Sequence, residues 1–196
     1  VLRSNGASYE DPRFLADGRV LLSKSTPQGD GSQRPDLYLW DPRRGTVRRI
    51  THGASIRNAD PAADGHTAYA VRCHGGACDL VAVSLIDGRV TTILAGDPTT
   101  SYYRPRVRPG SSELVVSVHD STRWRLAVVD TRSRALRYFA PGDSVNRYDA
   151  SWLSPTEIVA VSEAGGVPNL ELLNIATGGA ALITRLTGAA VAPEPN

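Results

Sequence analysis

Methionine is absent from the 196-residue chain, lysine occurs once, at Lys24, and phenylalanine twice, at Phe14 and Phe139. No apolar run approaches the roughly 18 continuous residues that a membrane-spanning helix needs. No signal-peptide pattern opens the chain. A start at Val1 in a chain without methionine is expected of a processed product or of a piece excised from a longer one. Charge of one sign is also lacking: 22 basic side chains face 20 acidic ones, a net charge of +2, without the concentrated basic footprint of a dedicated nucleic-acid binder. Only the segment from Arg104 to Arg137, with Arg106, Arg108, Arg123, Arg125, Arg132 and Arg134, is locally basic. It reads as a solvated arginine-rich surface, with an anion-binding or nucleic-acid face as the alternative.

Motifs of chemistry are equally scarce. There is no Gly-x-Ser-x-Gly elbow of an α/β-hydrolase and no His-Glu-x-x-His of a zinc peptidase. His119-Asp120-Ser121 holds the residue types of a triad, but adjacency in sequence is not convergence in space, and the run is expected in a loop. His52, His66 and His74 fall at turn-like positions. Asp30-Gly31-Ser32 is a fragment of a calcium loop without the remaining carboxylates. No catalytic residue, metal site or cofactor is expected in this segment.

What the chain does have is punctuation, with 18 Gly and 13 Pro between short runs of alternating hydrophobicity and no long helical pattern. That combination predicts an all-β fold. The punctuation repeats. Asp11-Pro12, followed by Asp17-Gly18, returns as Asp60-Pro61 with Asp64-Gly65, and in degraded form at Arg104-Pro105 and Asp149-Ala150. A second block, Asp36-Leu37-Tyr38-Leu39-Trp40-Asp41, is echoed from Asp79, Arg125 and Asn169. Its leucines at 37, 80, 126 and 170 keep the roughly 40–45-residue period of a four-stranded propeller blade. Within the first unit the spacing predicts strands over 12–15, 19–25, 37–40 and 46–51, with a polar loop from Thr26 to Pro35. Fourth strands are expected over 90–94, 135–139 and 180–184.

These repeats predict about four four-stranded blades of a larger ring. The expected blades span 11–53, 54–97, 98–142 and 143–188. Residues 1–10 would end a preceding blade or form a linker, and 189–196, with Ala192-Pro193-Glu194-Pro195, would open a truncated fifth. Asp11, Asp60, Arg104 and Asp149 open the inner strands and are the candidate channel or ligand-facing residues. The alternative is that they cap turns and bond backbone amides.

Cys73 and Cys78 flank His74-Gly75-Gly76-Ala77. If the flanking runs pair as a hairpin, the two Cβ atoms come within reach of a structural disulfide. Two free thiols remain an alternative, and three close ligands without a fourth make a poor zinc site. A disulfide would imply an oxidising compartment.

The succession Asp-Pro, Asp-Gly, Asp-Leu-Tyr-Leu and Arg49-Ile50-Thr51-His52-Gly53 resembles the WD40-like repeats of TolB-type β-propellers over residues 11–188. The resemblance is strongest in the first repeat and weakest in the last two. It implies a periplasmic or secreted, non-catalytic scaffold that presents loops and a channel to an unidentified protein partner, with neither nucleic acid nor a membrane span. A regulatory or substrate-gating propeller of a larger, prolyl-oligopeptidase-like peptidase is the alternative. Open blade ends leave apolar faces and strand edges unpaired, so self-association is expected.

Overall fold

The computed structural model describes residues 9–140 and 142–195. These hold sixteen strands and no helix. The strands form four antiparallel sheets of four, each a meander in which sequential strands are neighbours. The chain divides into two compact units between Ala95 and Gly96, with two sheets in each.

In the first unit, β1 (Tyr9–Phe14), β2 (Val20–Pro27), β3 (Gln33–Asp41) and β4 (Thr46–Arg49) make one sheet. The other is built from β5 (Ile56–Pro61), β6 (Thr67–His74), β7 (Ala77–Ser84) and β8 (Val90–Leu94). Alternation selects what lies between them. Leu21, Leu37 and Leu39 pack with Ile56, Ala59, Ala68, Ala70, Val81 and Val83, so leucines of one sheet meet mostly smaller side chains of the other. Gly88, in the β7–β8 turn, has φ +76°, and a Cβ there would stand 2.1 Å from the carbonyl oxygen of Ile50. Only glycine allows the two sheets to approach at that point.

In the second unit, β9 (Thr100–Val107), β10 (Glu113–Asp120), β11 (Trp124–Asp130) and β12 (Leu136–Tyr138) form the third sheet. The fourth comprises β13 (Arg147–Trp152), β14 (Glu157–Ser162), β15 (Asn169–Asn174) and β16 (Ala180–Leu182). Val115, Leu126, Phe139, Ala150, Ile158, Ala160 and Leu173 form its core. Between Arg147 and Glu171 lies a buried ion pair, Nε to Oε2 2.7 Å. Burial opposes the Arg147 charge, but hydrogen bonds to Glu171 and Asp143 outweigh it and raise its pKa.

Several boundaries differ from the sequence expectation. Tyr9 and Glu10, placed before the first blade, are the first two residues of β1. The loop expected over 26–35 is shorter, because the β2–β3 ladder continues to Pro27 opposite Gln33. His119 and Asp120, expected in a loop, end β10 opposite Trp124 and the start of β11. Polar composition had suggested loops at both places, yet polar residues extend a ladder wherever two long strands remain in register.

The Asp-Leu-Tyr-Leu and Arg-Ile-Thr-His-Gly blocks meet at one fully buried carboxylate. Asp36 accepts hydrogen bonds from Arg49 Nη2 (2.6 Å), Thr51 Oγ1 (2.8 Å) and the backbone amides of Gly53 (2.9 Å) and Ala54 (3.1 Å). Thr51 Oγ1 in turn accepts from the Leu37 amide. Asn169 repeats the arrangement in the fourth sheet: its Oδ1 accepts from Thr184 Oγ1 and the Leu186 amide, both at 2.8 Å. In the first and fourth sheets a buried polar latch thus ties the third strand to the chain leaving the fourth.

Candidate functional site

The first strand of every sheet carries an irregularity in its pairing, between Glu10 and Arg13, Arg57 and Asp60, Tyr103 and Arg106, and Tyr148 and Ser151. At each bulge one residue has positive φ: Asp11 (51°), Asn58 (53°), Arg104 (45°) and Asp149 (52°). Asp and Asn tolerate this conformation better than other non-glycine residues; arginine has no such advantage. The bulge corrects the expected equivalence. Asn58 is the counterpart of Asp11, while Asp60 stands two positions further on, at the register of Arg13.

Within the first unit these positions are joined. Asp11 Oδ2 accepts from Asn58 Nδ2 (2.9 Å) and Ser23 Oγ (3.3 Å), and Asp60 Oδ1 lies 3.3 Å from Arg13 Nε. In the second unit, Arg104 Nη1 lies 3.1 Å from Asp149 Oδ2. The Asp149 amide donates to Ser117 Oγ at 2.9 Å. Glu194 Oε1 receives both Arg104 Nη2 and Arg106 Nη2 at 3.0 Å. Arg104 and Asp149 are therefore brought together directly, whereas Asp11 and Asp60 each bond a residue not singled out by the sequence reading, Asn58 and Arg13.

Arg106 was singled out only as part of the basic segment and Glu194 only as part of the tail, neither as a partner of this site. The signal was present in the tail, since Ala192 also has positive φ (53°) and Ala192-Pro193-Glu194 repeats Arg104-Pro105-Arg106 position for position. No strand is formed over 189–195, although Ser151 Oγ donates to the Pro193 carbonyl.

A second cluster in this unit escaped the sequence reading. Trp124, on β11, has its ring 5.0 Å from Tyr103, 4.8 Å from His119 and 5.7 Å from Tyr148. All four side chains are half-buried. The Tyr148 hydroxyl donates to Glu163 Oε1, and its pKa is raised by burial first and by the Glu163 charge second. Trp124 opens β11, and β9, β10 and β13 surround it with aromatic rings.

His119-Asp120-Ser121 forms no triad. Asp120 Oδ1 accepts from the amides of Thr122 and Arg123 and from Thr122 Oγ1. The Thr122 hydroxyl bond, followed by the Thr122 amide, lowers its pKa to about 2. Most arginines of the basic segment meet acceptors rather than an open face: Arg108 pairs with Glu113, Arg125 with Asp120, and Arg123 donates to the Asp143 carbonyl. Among the described residues no group of three or more His, Cys, Asp or Glu could hold a metal, and no helix is long and apolar enough to cross a membrane. Cys73 and Cys78 are joined by a disulfide.

No family model and no curated protein sequence matches the chain. Solved structures do. TolB from Acinetobacter baumannii superposes with a TM-score of 0.75 at 15% identity, over 93% of this chain and 45% of that one. A putative TolB from Agrobacterium tumefaciens gives 0.79 at 13% identity, over 96% of this chain and 66% of that one. A puromycin hydrolase gives 0.71 at 19% identity, over 94% of this chain and 32% of that one. The four sheets are blades of β-propeller type, and the chain spans about half to two thirds of the TolB structures it resembles.

Proposed function

We propose that the chain is part of a non-catalytic TolB-like propeller that acts as a protein-interaction scaffold in the bacterial envelope, periplasmic or secreted. The observation that carries this reading is the Trp124 cluster. Trp, Tyr and Arg dominate the binding energy of protein interfaces because they offer large, rigid contact area at low entropic cost. Here Tyr103, Trp124 and Tyr148 stand together, half-buried, where β10 turns into β11.

On this reading β1–β4, β5–β8, β9–β12 and β13–β16 are four blades of a larger ring, and Ala192-Pro193-Glu194 begins another inner strand. Ile183, Leu186 and Val191, all more than half exposed, belong to an apolar face that a further blade or a second copy covers.

The test is a photo-crosslinking amino acid at Thr122, an exposed residue beside Trp124, in the intact protein in its host. A discrete protein adduct that disappears in the Trp124→Ala background is expected. No adduct, or one indifferent to Trp124→Ala, counts against the scaffold.

The puromycin hydrolase likeness favours a second reading, a regulatory or substrate-gating propeller of a larger peptidase. A Gly-x-Ser-x-Gly domain encoded in the same gene, with peptidase activity altered by mutating this segment, would select it.

A further inference from the structure

The β6–β7 hairpin turns on Gly75 and Gly76, both with positive φ (55° and 85°). Its ladder already sets His74 opposite Ala77 and Cys73 opposite Cys78. The disulfide therefore closes a loop that a favoured two-residue turn has closed. Its surroundings are those of a reactive sulfur. Cys73 is half-buried and, with Arg34, Arg72, His74 and the chain from Gly53 to Ser55, lines a cleft of 530 Å³. Cys78 lies behind it, 5% exposed.

Arg57 Nη2 is 3.8 Å from Cys73 Sγ. Arg72 Nη2 and His74 Nε2 lie 2.7 and 3.1 Å from Asp79 Oδ2, and Arg34 pairs with Asp30. One guanidinium, that of Arg57, thus stands against the Cys73 sulfur, while Arg34 and Arg72 line the same cleft, each paired with a carboxylate. Cationic neighbours favour the thiolate over the thiol, and a stabilised thiolate leaves faster in exchange.

We propose that Cys73–Cys78 is an exchangeable disulfide whose cleft receives an anionic dithiol. The donor thiolate attacks Cys73 Sγ; the Sγ–Sγ bond breaks, and its electron pair leaves on Cys78, which takes up a proton. The donor's second thiol gives up its proton and attacks the donor sulfur of the mixed disulfide. Cys73 departs as a thiolate beside Arg57. The donor is oxidised by two electrons to its own disulfide, the cysteine pair is reduced by two, and the proton lost by the second thiol balances the one gained by Cys78.

The experiment compares reduction of the oxidised protein by dihydrolipoate, which carries a carboxylate, and by uncharged dithiothreitol, at equal thiolate concentration. Hydroxyethyl disulfide serves as the uncharged reference. The dihydrolipoate-to-dithiothreitol rate ratio is expected to exceed the reference ratio by about fivefold or more at low salt. It should fall towards the reference at about 0.5 M salt and in Arg57→Gln and Arg72→Gln. The reduced protein should keep its β-sheet circular dichroism. A ratio equal to the reference overturns the proposal. So does a rate independent of thiol concentration, which would mean that the bond is reached only after unfolding, or loss of the sheet signal on reduction.

Discussion

Replacing Asp36 tests the polar latch most directly. The carboxylate is fully buried and accepts from four donors, of which the Arg49 guanidinium supplies an ion pair. Asp36→Ala removes every acceptor at once and leaves Thr51 Oγ1 and the Gly53 and Ala54 amides facing a cavity. An unsatisfied buried donor costs about 1–3 kcal/mol, and removing one partner of a buried pair about 3–5 kcal/mol in all. Some relief comes from Arg49, whose side chain is 28% exposed and can turn to water, and water can reach the half-exposed Gly53. A loss of about 3–4 kcal/mol is therefore expected. Asp36→Asn keeps one acceptor oxygen but sets an amide group against donors and gives up the charge, so about 1–3 kcal/mol is expected. Urea unfolding followed by far-UV circular dichroism measures both, and amide exchange should place the loss in β3, β4 and the chain from Thr51 to Ala54. A loss below about 1 kcal/mol for Asp36→Ala would refute the latch, since it is no more than an ordinary hydrogen bond is worth.

Gly88→Ala forces a Cβ onto the Ile50 carbonyl and should destabilise the first unit by about 2 kcal/mol or more, whereas Gly110→Ala, also at positive φ (69°) but with open space around its Cβ, should cost only the backbone term of about 1–2 kcal/mol; equal losses in urea unfolding would refute the close approach. Acid should weaken the fold through the turn aspartates. Hydrogen bonds hold Asp17, Asp30, Asp87, Asp97 and Asp130 below 3.8, and Asp120 at about 2. Groups depressed in the folded state contribute stability above their unfolded value near 4 and lose it as pH falls through the folded value. Stability by urea titration should therefore be flat above about pH 5 and decline between about pH 4 and pH 2. A midpoint unchanged to pH 2 would show that these bonds do not favour folding.

The blade repeat was legible because it is written in two chemistries that single residues report, Asp-Gly turns and alternating strands. The four-stranded meanders follow from both. The latch was legible as a pattern, since Asp36 and Arg49 to Gly53 were singled out together, but not as a contact. Nothing in the spacing says that a carboxylate from the third strand bonds amides beyond the fourth. The inner strands misled for a definite reason. Proline after aspartate made Asp60-Pro61 resemble Asp11-Pro12, yet the feature that repeats is a positive φ, which Asn58 adopts with Ala59 rather than proline behind it. Trp124 was visible as a residue and invisible as a cluster, because Tyr103, His119 and Tyr148 reach it from three other strands.

The bulges also bear on where a ligand binds. Holding a non-glycine residue at positive φ costs about 1–2 kcal/mol, and it recurs at Asp11, Asn58, Arg104 and Asp149, so something must offset it in each sheet. Hydrogen bonds do so: Asn58 to Asp11, Ser23 to Asp11, Arg104 to Asp149 and the Asp149 amide to Ser117. A ligand bound at these side chains would have to break bonds that maintain the backbone presenting them. The same bulge restarts the strand two residues later and sets Arg13 against Asp60, and Arg106 against Glu194. The polar residues of the inner strands thus tie β1 to β5, β9 to β13, and β9 to the tail at Glu194. Trp124 and Tyr103 carry no such burden, since their rings meet other rings rather than backbone amides. A partner could bury them without dismantling the blade, which favours the aromatic cluster over the row of charges as the surface of the proposed scaffold.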